Sequence, residues 1–477
     1  MPTPFSSATR FRNISIIIDI ILLLFSSLVL LWSAFNNGYP LVHSDTGAYV
    51  ESSFILKVPL NDRPIGYGLF LLSARLFNSL WYPLFFQSLI TAFLLFRVAV
   101  LILSDTKERG FIAFSIIIAT VLTTDISKFV SWIMPDIFTS WLFLGGLLFF
   151  VSVRFTDKFF SVVTVIISIT VHNSHVYLLY FSIILLLFFS WKFRSRNHLF
   201  WKNSKGFLLV VLIVSLGLCT LNFILNNGFT LTYNNSVYYI NKLAYHGVLT
   251  KTLDKYCSEK DWKLCDYKEI IKSNEGHRNW FLWGDDSPLQ KIGGWKINPE
   301  NQEEYHDIIL HSLKSFLPMI LMSSLRETFI QLTTSGTTSE LDKYDENYAV
   351  LRTLQRNYPV EFSQFMNGKQ QSEQKVKVRI FPLEENITNI LFAITAIIVL
   401  GVCLSSAHHY LALVLITFLI FILLNAIFVG FTITAEGHYQ GKILWLIPYF
   451  TFLVLSGLLL KHRNNVLPDL KSQDSIE

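Results

Sequence analysis

Acids, imidazoles and cations recur in this chain as short clusters set between long apolar runs. His43, Ser44, Asp45, Thr46 and Gly47 form one cluster with Glu51, followed by Asn61, Asp62, Arg63, Pro64, Ile65, Gly66 and Tyr67. A second holds Asp125, Lys128 and Asp136, the last preceded by Met134 and Pro135. His172, Asn173, Ser174 and His175 make a third, and Glu436, Gly437, His438, Tyr439, Gln440 and Lys442 a fourth. A carboxylate can take the proton of an attacking hydroxyl. Cations can stabilise the negative charge that grows on a phosphate leaving group. These residue types suit a group transfer, provided that they meet.

Each cluster also has a plainer reading. Asp136, at the head of an apolar run, is placed to cap a helix. Asp45 suits a wet loop, Arg63 an interfacial anchor, and Lys442 a side chain that snorkels from a span. His172 and His175 fit a tight polar turn or, less well, a pair of metal ligands. The setting argues for function, because ionisable groups at the ends of membrane spans are costly to keep.

That setting is written in the composition. The chain has 477 residues, 52% hydrophobic and 15% charged, with a mean hydropathy of +0.45. Soluble domains run at about 45–50% apolar and about 25% charged, so a single water-soluble globule is excluded. With 39 Lys and Arg against 34 Asp and Glu, the net charge is only +5, too small for a nucleic-acid partner.

A membrane-spanning helix needs about 20 apolar residues. Ten such stretches are expected, near 14–35, 81–103, 111–123, 136–153, 159–171, 176–190, 206–224, 387–404, 410–431 and 443–460. The first exceeds the core of about 7–15 residues of a cleaved signal and is expected to stay as an anchor. Basic residues fall on alternate loops: Arg10 and Arg12, Lys107 and Arg109, Arg154 and Lys158, Lys192 to Lys205, then Lys461 and Arg463. The positive-inside rule then places both termini in the cytoplasm and all four polar clusters outside. Stretches 64–77 and 313–330 carry Arg75 and Arg326 and are expected to lie in the interface as amphipathic helices.

The expected fold is all-α and polytopic, with a mixed outer-face segment inserted before the last three spans. Residues 1–224 form an N-terminal transmembrane module, 225–386 an outer domain, and 387–477 a C-terminal module with a cytoplasmic tail. Within the outer domain, Trp280, Trp283 and Trp295 near Gly284, Gly293 and Gly294 suggest order, and either Trp283 or Trp295 could stack on a sugar or simply fill a core. Cys257 and Cys265, eight apart in a polar stretch, suit a disulfide in an oxidising compartment.

The motifs resemble those of the GT-C superfamily of polytopic glycosyltransferases, the group of protein O-mannosyltransferases and lipid A aminoarabinose transferases. The resemblance rests on His43-Ser44-Asp45-Thr46-Gly47-Ala48-Tyr49 in the first outer loop and on Met134-Pro135-Asp136-Ile137-Phe138 downstream. It extends to Asp62-Arg63-Pro64-Ile65-Gly66-Tyr67 and to His438-Tyr439-Gln440-Gly441-Lys442 before the last span. Segment 225–386 has no counterpart, and Lys442 stands where many members carry Arg. The resemblance implies inverting transfer of a sugar from a polyprenyl-phosphate donor to a glycan, lipid or protein hydroxyl on the non-cytoplasmic face, in a bacterial inner membrane.

On that reading Asp45 is the general base or the carboxylate that orients the acceptor, with Asp136 or Asp125 a second acid shaping the site. Arg63, His438, Lys442 and Tyr439 hold the donor phosphate, and His43, Glu51, Tyr67 and Glu436 face the acceptor. No cofactor is assigned, and a divalent metal is possible. Two rival readings are a lipid-linked polysaccharide polymerase or ligase, and a transporter or flippase. The second is disfavoured because span interiors are nearly free of charge, Arg97 being the main exception.

Overall fold

Apolar runs in a medium without water must satisfy their own backbone polar groups, and the α-helix does this within one segment. In a computed structural model, helices occupy all ten expected positions. The structure describes residues 4–56, 63–103, 108–192, 198–225, 228–232, 235–293, 299–334, 341–345, 348–373, 376, 385–405 and 409–473. Asn61, Asp62, Trp295 and Gly294 lie outside these residues. The only β feature among the described residues is a single parallel bridge between Leu41 and Trp132.

Five helices among the described residues are long and apolar enough to cross a membrane: Trp81–Ile102, Lys202–Ile224, Glu300–Thr333, Val414–Thr432 and Gly437–Leu460. Four of them fall on expected spans. The remaining expected spans appear as shorter or less apolar helices, including Arg109–Thr123 and Ile137–Val151.

The fifth helix departs from expectation. Stretch 313–330 is not a separate interfacial helix but the C-terminal half of Pro299–Thr333, kinked at Phe316 just before Pro318. Proline removes one backbone hydrogen bond and crowds the preceding turn, which bends the helix without ending it. Beyond the kink, Ser324 and Thr328 lie against Gly430 of His409–Thr432, where a Cβ on Gly430 would meet the Thr328 backbone at 2.5 Å. Stretch 64–77 is broken at Leu71 into two short helices, Gly66–Phe70 and Leu72–Phe77.

Two hydrophobic cores result. The larger binds the spans, with Trp132, Trp141, Phe138 and Tyr449 fully buried. The smaller belongs to the segment that follows residue 224 and gathers Ile240, Leu249, Leu253, Leu264, Phe281 and Ile308. Cys257 and Cys265 are joined in a disulfide at the rim of this smaller core, as their spacing suggests. Trp280 packs against the core with its indole N–H on Asp286 at 2.9 Å, while Trp283 is exposed.

Far from the polar clusters, Arg97 does not stand alone in its span. It makes a two-pronged pair with Asp157, Nε to Oδ1 at 3.0 Å and Nη2 to Oδ2 at 2.7 Å, and Ser152 donates to the same carboxylate. Such a fork is the favoured geometry for a guanidinium and a carboxylate.

Candidate functional site

The Leu41–Trp132 bridge starts the site. Leu41 N–H donates to Ser131 O and Ile133 N–H donates to Leu41 O, each at 2.9 Å. Thr46 adds a third tie, its hydroxyl donating to Ile133 O at 3.0 Å. The first and second outer loops are thereby sewn together, and Asp45 comes beside the turn that carries Asp136.

Four carboxylates, Asp45, Asp125, Asp136 and Glu436, occupy helix N-cap positions, and none makes a side-chain capping bond. Ordinarily an N-cap side chain accepts from the free N–H groups of the first turn. Here Asp45, Asp136 and Glu436 turn to other partners, so the capping reading of Asp136 does not hold.

Asp45 accepts an ion pair from Arg63 at 3.0 Å. Burial pushes the Asp45 carboxyl up, but Arg63, with His43 and His438, more than offsets this and holds it below the ordinary carboxylate value. Arg63 is itself nearly buried, its guanidinium 4.9 Å over the ring of Tyr49. The backbone N–H of Asp45 donates to His43 Nδ1 at 3.2 Å, which fixes the imidazole beside the carboxylate.

Asp136 meets Lys442 at 3.7 Å, with side-chain exposures of 5% and 3%. A buried charge is tolerable only with a counter-charge. The helix Gly437–Leu444 that carries Lys442 is held where Ser140 donates to the Lys442 carbonyl at 2.6 Å. Tyr439 lies on the same helix, its ring 5.6 Å from the Lys442 ammonium and close enough to feel both Asp45 and Asp136.

Trp132 unites the two ends of the chain. Its ring lies 5.3 Å from His43 and 6.2 Å from His438, edge to face, and the two imidazoles are 6.1 Å apart. Beneath it sits Lys128, fully buried, with its ammonium 4.4 Å from the Trp132 ring centre. That contact is a cation–π interaction in a desolvated setting.

His172 and His175 form the turn that their spacing allows. Ser174 donates to His172 Nδ1 through its N–H and its hydroxyl, at 3.2 and 2.7 Å, so the ring hydrogen sits on Nε2. His175 Nδ1 donates to Ser168 O at 2.5 Å and its Nε2 accepts from Thr139 at 2.7 Å. Burial, then Lys442, His175, His438 and Arg63, push His172 well below the ordinary imidazole value. Among the described residues no group of three or more His, Cys, Asp or Glu is placed to hold a metal ion.

Three of the residues expected at the acceptor are engaged by partners within the protein. Tyr67 is fully buried, and its hydroxyl donates to Gln87 Oε1 at 2.7 Å because the ring is walled in by Tyr49, Phe70 and Phe138. Glu51, with 22% of its side chain exposed, is engaged in an ion pair with Arg356. The Glu436 carboxylate accepts from Asn279 and lies 3.7 Å from His438 Nδ1, which ties it to the imidazole. As for the second acid, Asp136 and not Asp125 is the carboxylate at Lys442; Asp125 is buried at the start of the short helix Ile126–Ser131.

A cavity of about 350 Å³ adjoins the cluster, lined by Pro64, Ile65, Phe70, Ile169, Val176 and Leu218 among others. Pro64 follows Arg63, and Asn173, also in the wall, follows His172. The lining is mostly apolar, with Thr170, Asn173, Asn222 and Thr232 its polar members, and none of Asp45, Arg63, Asp136 or Lys442 belongs to it. Sequence reading did not single out Trp132 or Tyr344, the latter held near enough to Asp45 to feel its charge. No family model, no curated protein and no solved structure matches the chain.

Proposed function

We propose that this chain is a membrane glycosyltransferase of the GT-C kind, which moves a sugar from a polyprenyl-phosphate donor to an acceptor hydroxyl. The observation that carries the reading is the meeting of two cation–carboxylate pairs, Asp45–Arg63 and Asp136–Lys442, around Tyr439, with an apolar cavity walled by the residues that follow Arg63 in the chain. Its size suits the head-proximal part of a prenyl chain, since ligand pockets of about 300–1,000 Å³ are usual.

In this geometry each cation rests on a carboxylate. An arriving phosphate competes for Arg63 and Lys442, and His438 completes its surroundings. Losing its cation leaves Asp45 free to accept the acceptor's proton. As that O–H bond breaks, the acceptor oxygen bonds to the anomeric carbon. The bond from that carbon to the phosphate oxygen breaks, and its electron pair leaves with the prenyl phosphate. Cations aimed at that oxygen stabilise the leaving group.

Ten spans and cytoplasmic termini complete the proposal and rest on the loop charges and the positive-inside rule. A bacterial inner membrane is proposed with them, because the sequons at Asn234 and Asn386 make only a weak case for the endoplasmic reticulum. The disulfide supports an oxidising outer face for the segment that holds it. The test is to incubate purified protein in detergent with a panel of undecaprenyl-phosphate hexoses and follow release of undecaprenyl phosphate. Asp45→Asn should slow release by about 10²-fold or more, the scale of a lost general base. Full activity in a folded Asp45→Asn protein would refute the assignment.

A further inference from the structure

Three glutamines of the outer segment make one and the same contact. Gln331 accepts the Glu436 N–H at 3.0 Å and donates to the Glu436 carbonyl at 2.8 Å. Gln370 accepts the Val42 N–H at 3.1 Å and donates to the Val42 carbonyl at 2.8 Å. Gln371 accepts the Tyr344 N–H at 3.1 Å and donates to the Tyr344 carbonyl. Their exposures are 0%, 1% and 3%, so water does not compete.

A primary amide carries an acceptor and two donors on one plane. Laid against a single residue, it satisfies that residue's N–H and C=O together, as a neighbouring strand would. The reversed amide would set donor against donor, so the contact fixes its own orientation. A charged side chain here would have to be buried at a cost, and a serine offers one oxygen where two atoms are needed.

The clamped residues are not scattered. Val42 precedes His43, and Glu436 stands two before His438. The loop at Glu436 is gripped further: the Glu327 carboxylate accepts the Ala435 N–H at 2.7 Å, and Arg278 donates to the Ala435 carbonyl. On the other side, the Gln370 N–H donates to Asn37 Oδ1 at 2.7 Å.

We propose that Gln331 and Gln370 are positioning residues, through which the outer segment sets His438 against His43 and Asp45. The proposal rests on the reading of this cluster as the donor-phosphate site. Gln371 acts between them by holding Tyr344, whose side-chain hydroxyl is hydrogen-bonded to the Ser44 backbone. The outer segment thus templates the site from outside, without lending it a reacting group.

The test uses the full chain in detergent micelles and the rate of diethylpyrocarbonate labelling at His43 and His438, read by peptide mass spectrometry. Gln331→Met keeps volume and removes both bonds. It should raise the His438 rate about threefold or more by local opening and leave His43 unchanged. Gln370→Met should do the reverse. Should either methionine variant not fold, Gln→Asn keeps the amide but is too short to close both bonds, and the same crossed pattern is expected. Equal changes at both histidines, or none, would overturn the proposal, because a general loosening has no such selectivity. In parallel, undecaprenyl phosphate binding by the wild-type protein is measured. Absence of binding would remove the donor reading, while the labelling pattern would still decide the positioning role.

Discussion

Lys442 Nζ stands 3.7 Å from Asp136 Oδ1, and neither side chain keeps more than 5% of its surface. A pair this dry behaves as a unit. Removing one partner strands a charge, which typically costs about 3–5 kcal/mol, whereas removing both can be nearly neutral. Lys442→Met should therefore lower the unfolding free energy in detergent by about 3 kcal/mol. Adding Asp136→Asn should recover most of the loss, and a double-mutant cycle without coupling would contradict the pairing.

Asp45 makes a prediction about pH. Its carboxyl is held below the ordinary value, so it is fully ionised across the neutral range. The sign is that of a depressed acid: the Asp45–Arg63 pair contributes stability above the unfolded carboxyl value and loses it as pH falls through the lower folded one. The kcat/KM for the undecaprenyl-phosphate hexose, which reports the free enzyme, should show no acid limb from Asp45 between about pH 5 and 8. In Arg63→Met the largest opposing charge is gone and only His43 and His438 remain against burial, so the carboxyl rises and an acid limb should move toward neutrality.

Lys242 supplies the opposite case. It is 1% exposed and donates to Ser324 Oγ and the Gly430 carbonyl, both at 2.6 Å. Burial, partly countered by Glu327, pushes its ammonium down to about 8 from an ordinary 10.5. Between those values the unfolded chain holds a proton that the folded chain has released, so stability rises with pH there. The thermal unfolding midpoint should climb from pH 8 to 10, and Lys242→Met should flatten that climb relative to wild type.

Tyr67 tests its own reassignment. With its hydroxyl donated to Gln87 in the core, Tyr67→Phe should cost about 1–2 kcal/mol of stability, the usual loss when a buried acceptor loses its donor. Donor affinity and acceptor KM should stay at wild-type values. A rise in acceptor KM alone would return Tyr67 to the binding surface.

Much of this site can be read from residue types and from their places at the ends of apolar runs. Asp45, Arg63, Asp136, His438 and Lys442 declare themselves because charge beside hydrocarbon needs a reason. Cys257 and Cys265 declare themselves by spacing. The side chains that assemble the site carry no such mark. Gln331 and Glu436 are 105 residues apart, Gln370 and Val42 328, and a lone glutamine in a polar stretch has no period to betray it. Trp132 was hidden in the same way, one aromatic among 15% of the chain. The helix Pro299–Thr333 misled for a local reason: Pro318 and Arg326 interrupt its apolar pattern, while the contacts that steady its far half come from Gly430 and Ala435.

The glutamine contacts carry one more implication. Because each amide grips only peptide groups, it is indifferent to what hangs from the residue it holds. Position 42 is limited by the core around Val42 and position 436 by the partners of its carboxylate, but neither limit comes from the amide's hold. Positions 331 and 370 have no such licence. Evolution can therefore retune the chemistry at the edge of the site while its scaffold stays as it is.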